Sequence, residues 1–198
     1  MNVFILNTGR CGSTSIIEAC RHITNYTSAH ESRSGLLGEA RLAYPPGHIE
    51  ADNRLSWLLG RLDRTYGDDA IYVHLMRDPA RVANSVVQRY SHGIILAYRR
   101  GILRGLDRNA DAYEVSLDYC DTVTENIRCF LKDKSRTMEF HLEEAERDLR
   151  RMWDLIGAEG DFEAALAAML RPHNATRKNK RYKKYRWNWW RQRLGLID

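Results

Sequence analysis

Glycine, hydroxyl and arginine residues follow the first apolar run of the chain. Residues 2–7 are typical of a short buried strand, and residues 8–15 then read TGRCGSTS. Gly9 and Gly12 allow a tight turn and a close approach of the backbone to a ligand. A helix that begins near Ser13 leaves its first amide groups without intrahelical partners, at the positive end of its dipole. With the fixed charge of Arg10, the stretch predicts a binding site for a phosphate or sulfate group.

This loop differs from the known nucleotide-binding patterns. Gly9 and Gly12 are too close together for the triphosphatase loop, and no lysine precedes the hydroxyl residues. The alternative is an ordinary strand-to-helix turn.

A second strand-like run, residues 70–76, is followed directly by Arg77-Asp78-Pro79. Pro79 suits the first turn of a helix, where its missing N–H costs nothing. Ser85 follows eight positions after Arg77. The alternative for this stretch is that Arg77 pairs with a neighbouring acid and Ser85 lies on a helix surface.

Together the two stretches resemble the sulfotransferases that use 3′-phosphoadenosine 5′-phosphosulfate (PAPS). The resemblance covers the first half of the chain by motif and the remainder by its pattern of elements. It implies an α/β fold: a three-layer arrangement with a parallel sheet flanked by helices, in the P-loop NTPase-like sulfotransferase architecture.

The resemblance also implies roles for individual residues. Arg77 and Ser85 would bind the 3′-phosphate, and Arg10, where many members carry a catalytic lysine, would stabilise charge electrostatically. Arg177-Lys178 looks like the late loop that closes over the 3′-phosphate, with Asn179 in place of the usual glycine. The 5′-phosphosulfate would be held by the first loop: Arg10, Cys11, Gly12, Ser13, Thr14 and Ser15. The donor would be PAPS, the product 3′,5′-bisphosphorylated adenosine (PAP), and no metal would be needed.

The resemblance implies a general base, a His or in some members a Glu, just after the strand that precedes the Arg77 strand, and Glu50 lies closest to that position. Glu50 is the first choice, because a partly buried carboxylate can have a pKa suited to this role. Four other residues stay open as alternatives: His48, Asp52, His30 and Glu31.

The remaining chain alternates strand-like and helix-like segments. Strands are predicted near residues 25–29, 48–50 and 136–141. Five helices are predicted. One follows a cap at Asp52 or Asn53, one begins at residue 79, and three span residues 109–134, 142–156 and 161–170. The loops 30–47 and 92–108 are candidates for contact with the acceptor. This alternation predicts a parallel sheet with helices on both faces.

Size and composition favour one domain spanning residues 1–198, with a basic aromatic C-terminal segment. Ten Lys or Arg residues and one acid lie in residues 171–198, although the whole chain has a net charge of only +5. We expect this segment to be a packed helix with a basic outer face and no nucleic-acid partner. The sequence contains no membrane-length apolar run, no signal peptide and no zinc-type cysteine spacing. A cytoplasmic location is therefore expected, and the oligomeric state is left open.

Cys11 has two readings. It could be a reactive thiol beside Arg10, or a small residue that fills a tight loop. We expect the second.

The predicted function is transfer of a sulfuryl group from PAPS to a hydroxyl, or an amine, by metal-independent in-line displacement. The acceptor could be a small molecule, a carbohydrate or a lipid. Two alternatives stay open: a P-loop-type small-molecule kinase, and a non-catalytic module that binds nucleic acid or a membrane through the basic segment.

Overall fold

The computed structural model describes residues 1–171. At its centre is β1 (Asn2–Leu6), and all five residues of this strand are buried. Four further strands complete a five-stranded sheet in the order β2-β3-β1-β4-β5, in which every pairing is parallel. These strands are β2 (Thr27–His30), β3 (His48–Ala51), β4 (Ala70–Met76) and β5 (Thr137–His141).

Seven α-helices connect and cover the strands. They are α1 (Ser13–Cys20), α2 (Leu59–Tyr66), α3 (Pro79–Val87), α4 (Ile94–Ala97), α5 (Ala112–Leu131), α6 (Ala145–Ile156) and α7 (Phe162–Leu170). Helices α1, α6 and α7 pack together, and α3 packs on α5. With right-handed crossovers, the first group covers one face of the sheet, while α2, α3 and α5 cover the other. The predicted three-layer α/β architecture is confirmed.

The loops after β1 and β4 meet at one place because these strands are neighbours in the sheet. Leu6 pairs with His74, so the two strands end at nearly the same level. The chain leaves β1 toward α1 on one face and leaves β4 toward α3 on the other. Ligands of open α/β sheets bind in the crevice at such a switch point, beyond the carboxyl ends of the strands.

The helix predicted after Asp52 or Asn53 is split in two. Asp52 caps a short 3₁₀ helix, Asn53–Trp57, by accepting a hydrogen bond from the Arg54 amide over 2.8 Å. Helix α2 begins only at Leu59, because Leu58 has a φ of −121° and interrupts the helical path. Within residues 1–171, no helix combines the length and apolarity that a membrane crossing requires.

Candidate functional site

The loop between β1 and α1 has a backbone that is fixed from both sides. Gly9, Arg10 and Gly12 all have positive φ, at 79°, 62° and 95°. The Asn7 side chain accepts a hydrogen bond from the Gly9 amide over 2.8 Å, and Tyr119 on α5 donates to the Thr8 carbonyl over 2.7 Å. The loop is thus held in one conformation by Asn7, which directly follows β1, and by Tyr119 on α5.

The N-terminus of α1 opens directly from this loop. Gly12 occupies the cap position and has no side chain to cap the helix, and the first turn carries no acidic residue. The partial positive charge of this helix end is therefore not neutralised by its own first turn. Ser13, Thr14 and Ser15 form that turn, as the sequence predicts for an anion site.

Arg10, Ser85 and Arg77 come together from two distant parts of the chain. The Arg10 Nε donates to the Ser85 hydroxyl over 2.9 Å, and the Arg77 guanidinium donates to the Arg10 carbonyl oxygen over 3.2 Å. Ser85 is therefore not a bare surface serine: it is half-buried on α3 and faces the first loop. The two sequence motifs form one site.

Arg77 does not pair with the acid beside it. The Asp78 carboxylate instead caps α3, where it accepts a hydrogen bond from the Arg81 amide over 2.8 Å. No salt bridge joins Arg77 to any acidic residue within residues 1–171. Its positive charge can therefore be directed at an anionic ligand.

Arg89 is a third cation of this cluster, and sequence reasoning missed it. Burial, together with the nearby charges of Arg89 and Arg77, lowers the pKa of Arg10. Residues four apart lie on the same face of a helix, and Arg89 follows Ser85 by four positions, just beyond the end of α3. That spacing is the signal that could have found it.

Cys11 is a buried loop residue and not an activated thiol. Its side chain is 2% exposed and lies 2.9 Å from the Thr8 hydroxyl. Burial raises the pKa of the Cys11 thiol to about 11. The structure agrees with the reading of Cys11 as a residue that fills a tight loop.

Glu50 lies in a closed polar cluster. Its side chain is fully buried, one oxygen accepts from the Ser32 amide over 2.7 Å, and the other accepts from the Ser32 hydroxyl over 2.6 Å. The His48 ring nitrogen Nε2 lies 3.0 Å from that second oxygen. Both oxygens are thus engaged in holding the segment after β2, which favours an anchoring role.

The other acidic candidates are also paired. Asp52 is fully buried and forms a 2.5 Å ion pair with Arg41, in addition to its capping bond. Glu31 forms a 2.7 Å ion pair with Arg54. These contacts fix the long loop between β2 and β3 against the residues that follow β3.

His30 is a candidate base that contacts the start of α1 directly. Its ring nitrogen Nε2 is 2.9 Å from the Ser13 hydroxyl, at the start of α1. His30 ends β2 and is exposed. An exposed imidazole beside the anion site can reach both a ligand and solvent.

Arg177, Lys178 and nearly all of the basic aromatic segment 171–198 lie outside the described residues. In residues 1–171, no group of three or more His, Cys, Asp or Glu side chains is arranged to hold a metal ion.

Two sulfotransferases are among the solved structures that resemble this fold. One is a sulfotransferase domain from the curacin biosynthetic pathway, with a TM-score of 0.60 and 15% identity over 88% of this chain and 79% of that one. The other is mouse sulfotransferase SULT7A1 complexed with PAP, with a TM-score of 0.56 and 9% identity over 90% of this chain and 72% of that one. No family model and no curated protein matches the sequence. The chain has the sulfotransferase fold.

Proposed function

We propose that this protein is a PAPS-dependent sulfotransferase that transfers a sulfuryl group to a hydroxyl, or an amine, of its acceptor. The observation that carries the proposal is the meeting of two anion-binding elements at the switch point. The start of α1 with Arg10 forms one element, and Arg77 with Ser85 forms the other. A donor with phosphate groups at both its 5′ and 3′ positions needs two such elements side by side.

The 5′-phosphosulfate fits the loop between β1 and α1. The residues that would hold it form the end of the loop and the first turn of α1: Cys11, Gly12, Ser13, Thr14 and Ser15. Two of the loop residues hold left-handed backbone that glycine adopts readily, Gly9 and Gly12. A donor phosphate can therefore come close to bare backbone.

The 3′-phosphate fits the cluster of Arg77, Ser85 and Arg89. Mutual repulsion among like charges in a partly buried site is relieved when an anion binds between them. A doubly charged phosphate would offset the positive charges that lower the pKa of Arg10. Arg177 and Lys178 complete this part of the site in the proposal.

Arg10 would act during transfer as a fixed positive charge. An arginine stays protonated, so it stabilises negative charge that develops on the moving sulfuryl group and its leaving oxygen, without donating a proton. Its bond to Ser85 holds the guanidinium in place before the reaction. These positive charges supply the electrostatic part of the chemistry without a metal ion.

His30 is better placed than Glu50 to take the proton from the acceptor. A general base must reach the proton that it removes and must have a free lone pair. Glu50 is fully buried with both oxygens engaged. His30 is exposed and is held beside α1 through Nε2, which the Ser13 hydroxyl can release to a bound acceptor. In the proposed step the acceptor oxygen attacks sulfur, the bond from sulfur to the 5′-phosphate oxygen breaks, and His30 receives the acceptor proton.

The proposal includes a cytoplasmic location and a small-molecule, carbohydrate or lipid acceptor. The cysteines described are all free thiols, and Cys11, Cys20 and Cys120 are buried without forming disulfides. Free thiols of this kind are usual in reducing compartments.

The decisive experiment is a calorimetric titration of the protein with PAP and with AMP in metal-free buffer. We expect PAP to bind at least about tenfold more tightly than AMP, a difference of about 1.4 kcal/mol. Arg77→Ala should remove this preference. Arg81→Ala, which changes an exposed arginine in the first turn of α3, should keep it. Equal binding of both nucleotides by the unaltered protein, or binding that requires Mg²⁺, would favour the kinase alternative instead.

A further inference from the structure

The proposed reaction determines the side from which the acceptor must approach. The donor would extend from the loop after β1 toward β4, because Arg77 and Ser85 would hold its 3′-phosphate. An in-line displacement places the attacking oxygen opposite the leaving oxygen. Strand β3 lies on the other side of β1 from β4, with β2 beyond it. The acceptor would therefore lie over the carboxyl ends of β3 and β2.

An ion pair between Glu31 and Arg54 lies at these two strand ends. The last residues of β2 and β3, His30 and Ala51, are partners in the sheet, so both strands end at the same level. Glu31 directly follows β2, and Arg54 lies in the 3₁₀ helix after β3. The two side chains are 2.7 Å apart, with Glu31 33% exposed and Arg54 40% exposed. A ligand over the strand ends can thus reach this pair.

The pair borders both parts of the proposed reaction centre. Glu31 is next to His30, whose ring contacts the start of α1. Arg54 follows Asn53, whose side-chain nitrogen would lie 3.0 Å from a Cβ added at Gly9 in the first loop. A ligand held by the pair would therefore extend to His30 and to the loop that holds the 5′-phosphosulfate.

The backbone positions both partners of the pair. Glu31 has a φ of 52°, and within residues 1–171 Arg10 is the only other residue with a side chain that has a positive φ. Such strained backbone is concentrated at binding and catalytic sites. The Arg54 amide donates to the buried Asp52 carboxylate over 2.8 Å. The pair is therefore held in place before a ligand binds.

Both partners keep polar atoms that can bind a ligand. Arg54 uses Nη1 for the ion pair and for a 3.4 Å hydrogen bond to the Asn53 side chain, and Glu31 uses Oε2. The other guanidinium nitrogens of Arg54 are donors, and the second carboxylate oxygen of Glu31 is an acceptor. Donors and an acceptor are thus offered side by side.

These charges favour a neutral ligand with several hydroxyl groups. The carboxylate and the guanidinium compensate each other, so the pair has no net charge to attract a cation or an anion. An apolar alcohol would cover both charged groups and return only one hydrogen bond, which is unfavourable. Hydroxyl groups can donate to Glu31 and accept from Arg54. Adjacent hydroxyl groups on a sugar ring provide both functions at once.

We propose that the acceptor is a neutral carbohydrate, and that Glu31 and Arg54 determine this specificity by binding two adjacent hydroxyl groups. The inference rests on the proposed sulfotransferase function and selects one acceptor class among those that this function leaves open. Glu31 and Arg54 would bind the sugar, while His30 would take the proton from the hydroxyl group that reacts.

The first test compares two neutral probes of similar size, methyl β-D-glucopyranoside and cyclohexylmethanol. Each is titrated by NMR into the full chain saturated with PAP. We expect the glucoside to bind at least about tenfold more tightly. A glucoside affinity no higher than that of cyclohexylmethanol would overturn the inference.

The two proposals fail separately, because PAP is titrated first. Absence of PAP binding would remove the proposed function and the acceptor inference with it. Binding of PAP without a preference for the glucoside would overturn the acceptor inference alone.

The second test asks whether the pair itself binds the sugar. Glu31→Gln and Arg54→Gln each remove one charge and keep polar atoms at the position. Relative to the unaltered protein, Glu31→Gln should shift the preference toward glucuronate, an anion, by about fivefold. Arg54→Gln should shift it toward glucosamine, a cation, by about the same factor. This is the effect of one unit charge about 4 Å away in water.

The matched control is the exposed ion pair between Glu18 and Arg21, also 2.7 Å long, at the opposite end of α1 from the site. Glu18→Gln and Arg21→Gln should shift neither preference. Exposed ion pairs contribute little to stability, so all four variants should fold, and their chemical-shift spectra without ligand verify this. Equal weakening of all sugars by Glu31→Gln and Arg54→Gln would assign the pair a structural role and overturn the inference.

Discussion

The Arg10 Nε and the Ser85 hydroxyl form a 2.9 Å hydrogen bond between residues 75 positions apart in sequence. This bond links the loop after β1 to the helix after β4, and it fixes the guanidinium that we assign to charge stabilisation. Arg77 strengthens the same link from its position at the start of the second motif, where it donates to the Arg10 carbonyl. The two elements that we propose to bind phosphate are therefore joined directly by hydrogen bonds.

Replacing Arg10 with lysine tests whether turnover needs only the positive charge or also the planar, hydrogen-bonded guanidinium. Arg10→Lys keeps the positive charge but loses the planar fork and its Nε bond to Ser85. We expect turnover to fall by about tenfold or more, since a pre-positioned charge contributes more to a transition state than a mobile one. Release of PAP from the donor, with an acceptor that supports turnover, gives the measurement. Ser85→Ala should reproduce part of the loss, and an unaffected turnover in both variants would contradict the assigned role of this bond.

His30→Gln tests the proton acceptor. The glutamine amide can keep a hydrogen bond to Ser13 but cannot take up a proton at neutral pH. We therefore expect PAP affinity to stay unchanged while turnover falls about a hundredfold, within the usual contribution of a general base. A parallel loss of PAP affinity would instead point to a structural role for His30.

Glu50→Gln serves as the comparison for that experiment. Glu50 accepts hydrogen bonds from the amide and the hydroxyl of Ser32, and a glutamine has only one carbonyl oxygen to accept them. The main effect should be a loss of about 1–3 kcal/mol in the free energy of unfolding, measured with urea, because the fully buried side chain at position 50 loses one of its hydrogen bonds. A large fall in turnover at unchanged stability would return Glu50 to the role of general base.

Gly12→Ala should damage the first loop specifically. Gly12 has a φ of 95°, and an added Cβ would lie 2.8 Å from a Leu142 methyl carbon. Left-handed backbone costs a non-glycine residue about 1–2 kcal/mol, and the contact with Leu142 adds to this cost. We expect lower stability and weaker PAP binding, measured by urea unfolding and calorimetry.

The matched control for Gly12→Ala is Gly35→Ala. No atom lies within 4 Å of the added Cβ at Gly35, and its φ is not in the left-handed region. Equal effects of the two substitutions would show that the loop tolerates a side chain at Gly12.

Several elements were predictable because their sequence signals are local. The strand at residues 70–76 is an unbroken apolar-rich run, and the structure has β4 at the same bounds. Asp78 and Pro79 have the side-chain cap and first-turn roles that their types favour. Both motifs follow strands of a predicted parallel sheet, but the adjacency of β1 and β4 is seen only in the structure.

The contacts that decide the roles of the polar residues were not predictable in the same way. Glu50 reads as a candidate base from its position, but its burial depends on Ser32, which lies in a loop without periodicity. The approach of His30 to Ser13 depends on the placement of β2 at the sheet edge beside β3. Such contacts follow from tertiary packing, and a single sequence does not encode them as a local pattern.

The burial of His74 should make the protein less stable in mild acid. Burial lowers its pKa to about 4, whereas an unfolded chain titrates near the ordinary histidine value. Above that ordinary value His74 is neutral in both the folded and the unfolded state, so it adds no pH dependence to the stability. As the pH falls below it, the unfolded state takes up the proton first, so stability declines until the pH reaches the folded pKa. Between pH 7 and pH 5 the loss should be about 2 kcal/mol.

His74→Phe isolates this contribution because phenylalanine does not titrate. Urea unfolding at pH 7 and pH 5 should show a stability loss that is about 2 kcal/mol smaller in the variant than in the unaltered protein. Asp148 does not interfere, since its paired carboxylate has a pKa lowered to about 2 and loses its contribution only in stronger acid. If the two proteins lose equal stability between these pH values, His74 is not held neutral by burial. In that case water reaches the ring in the folded state.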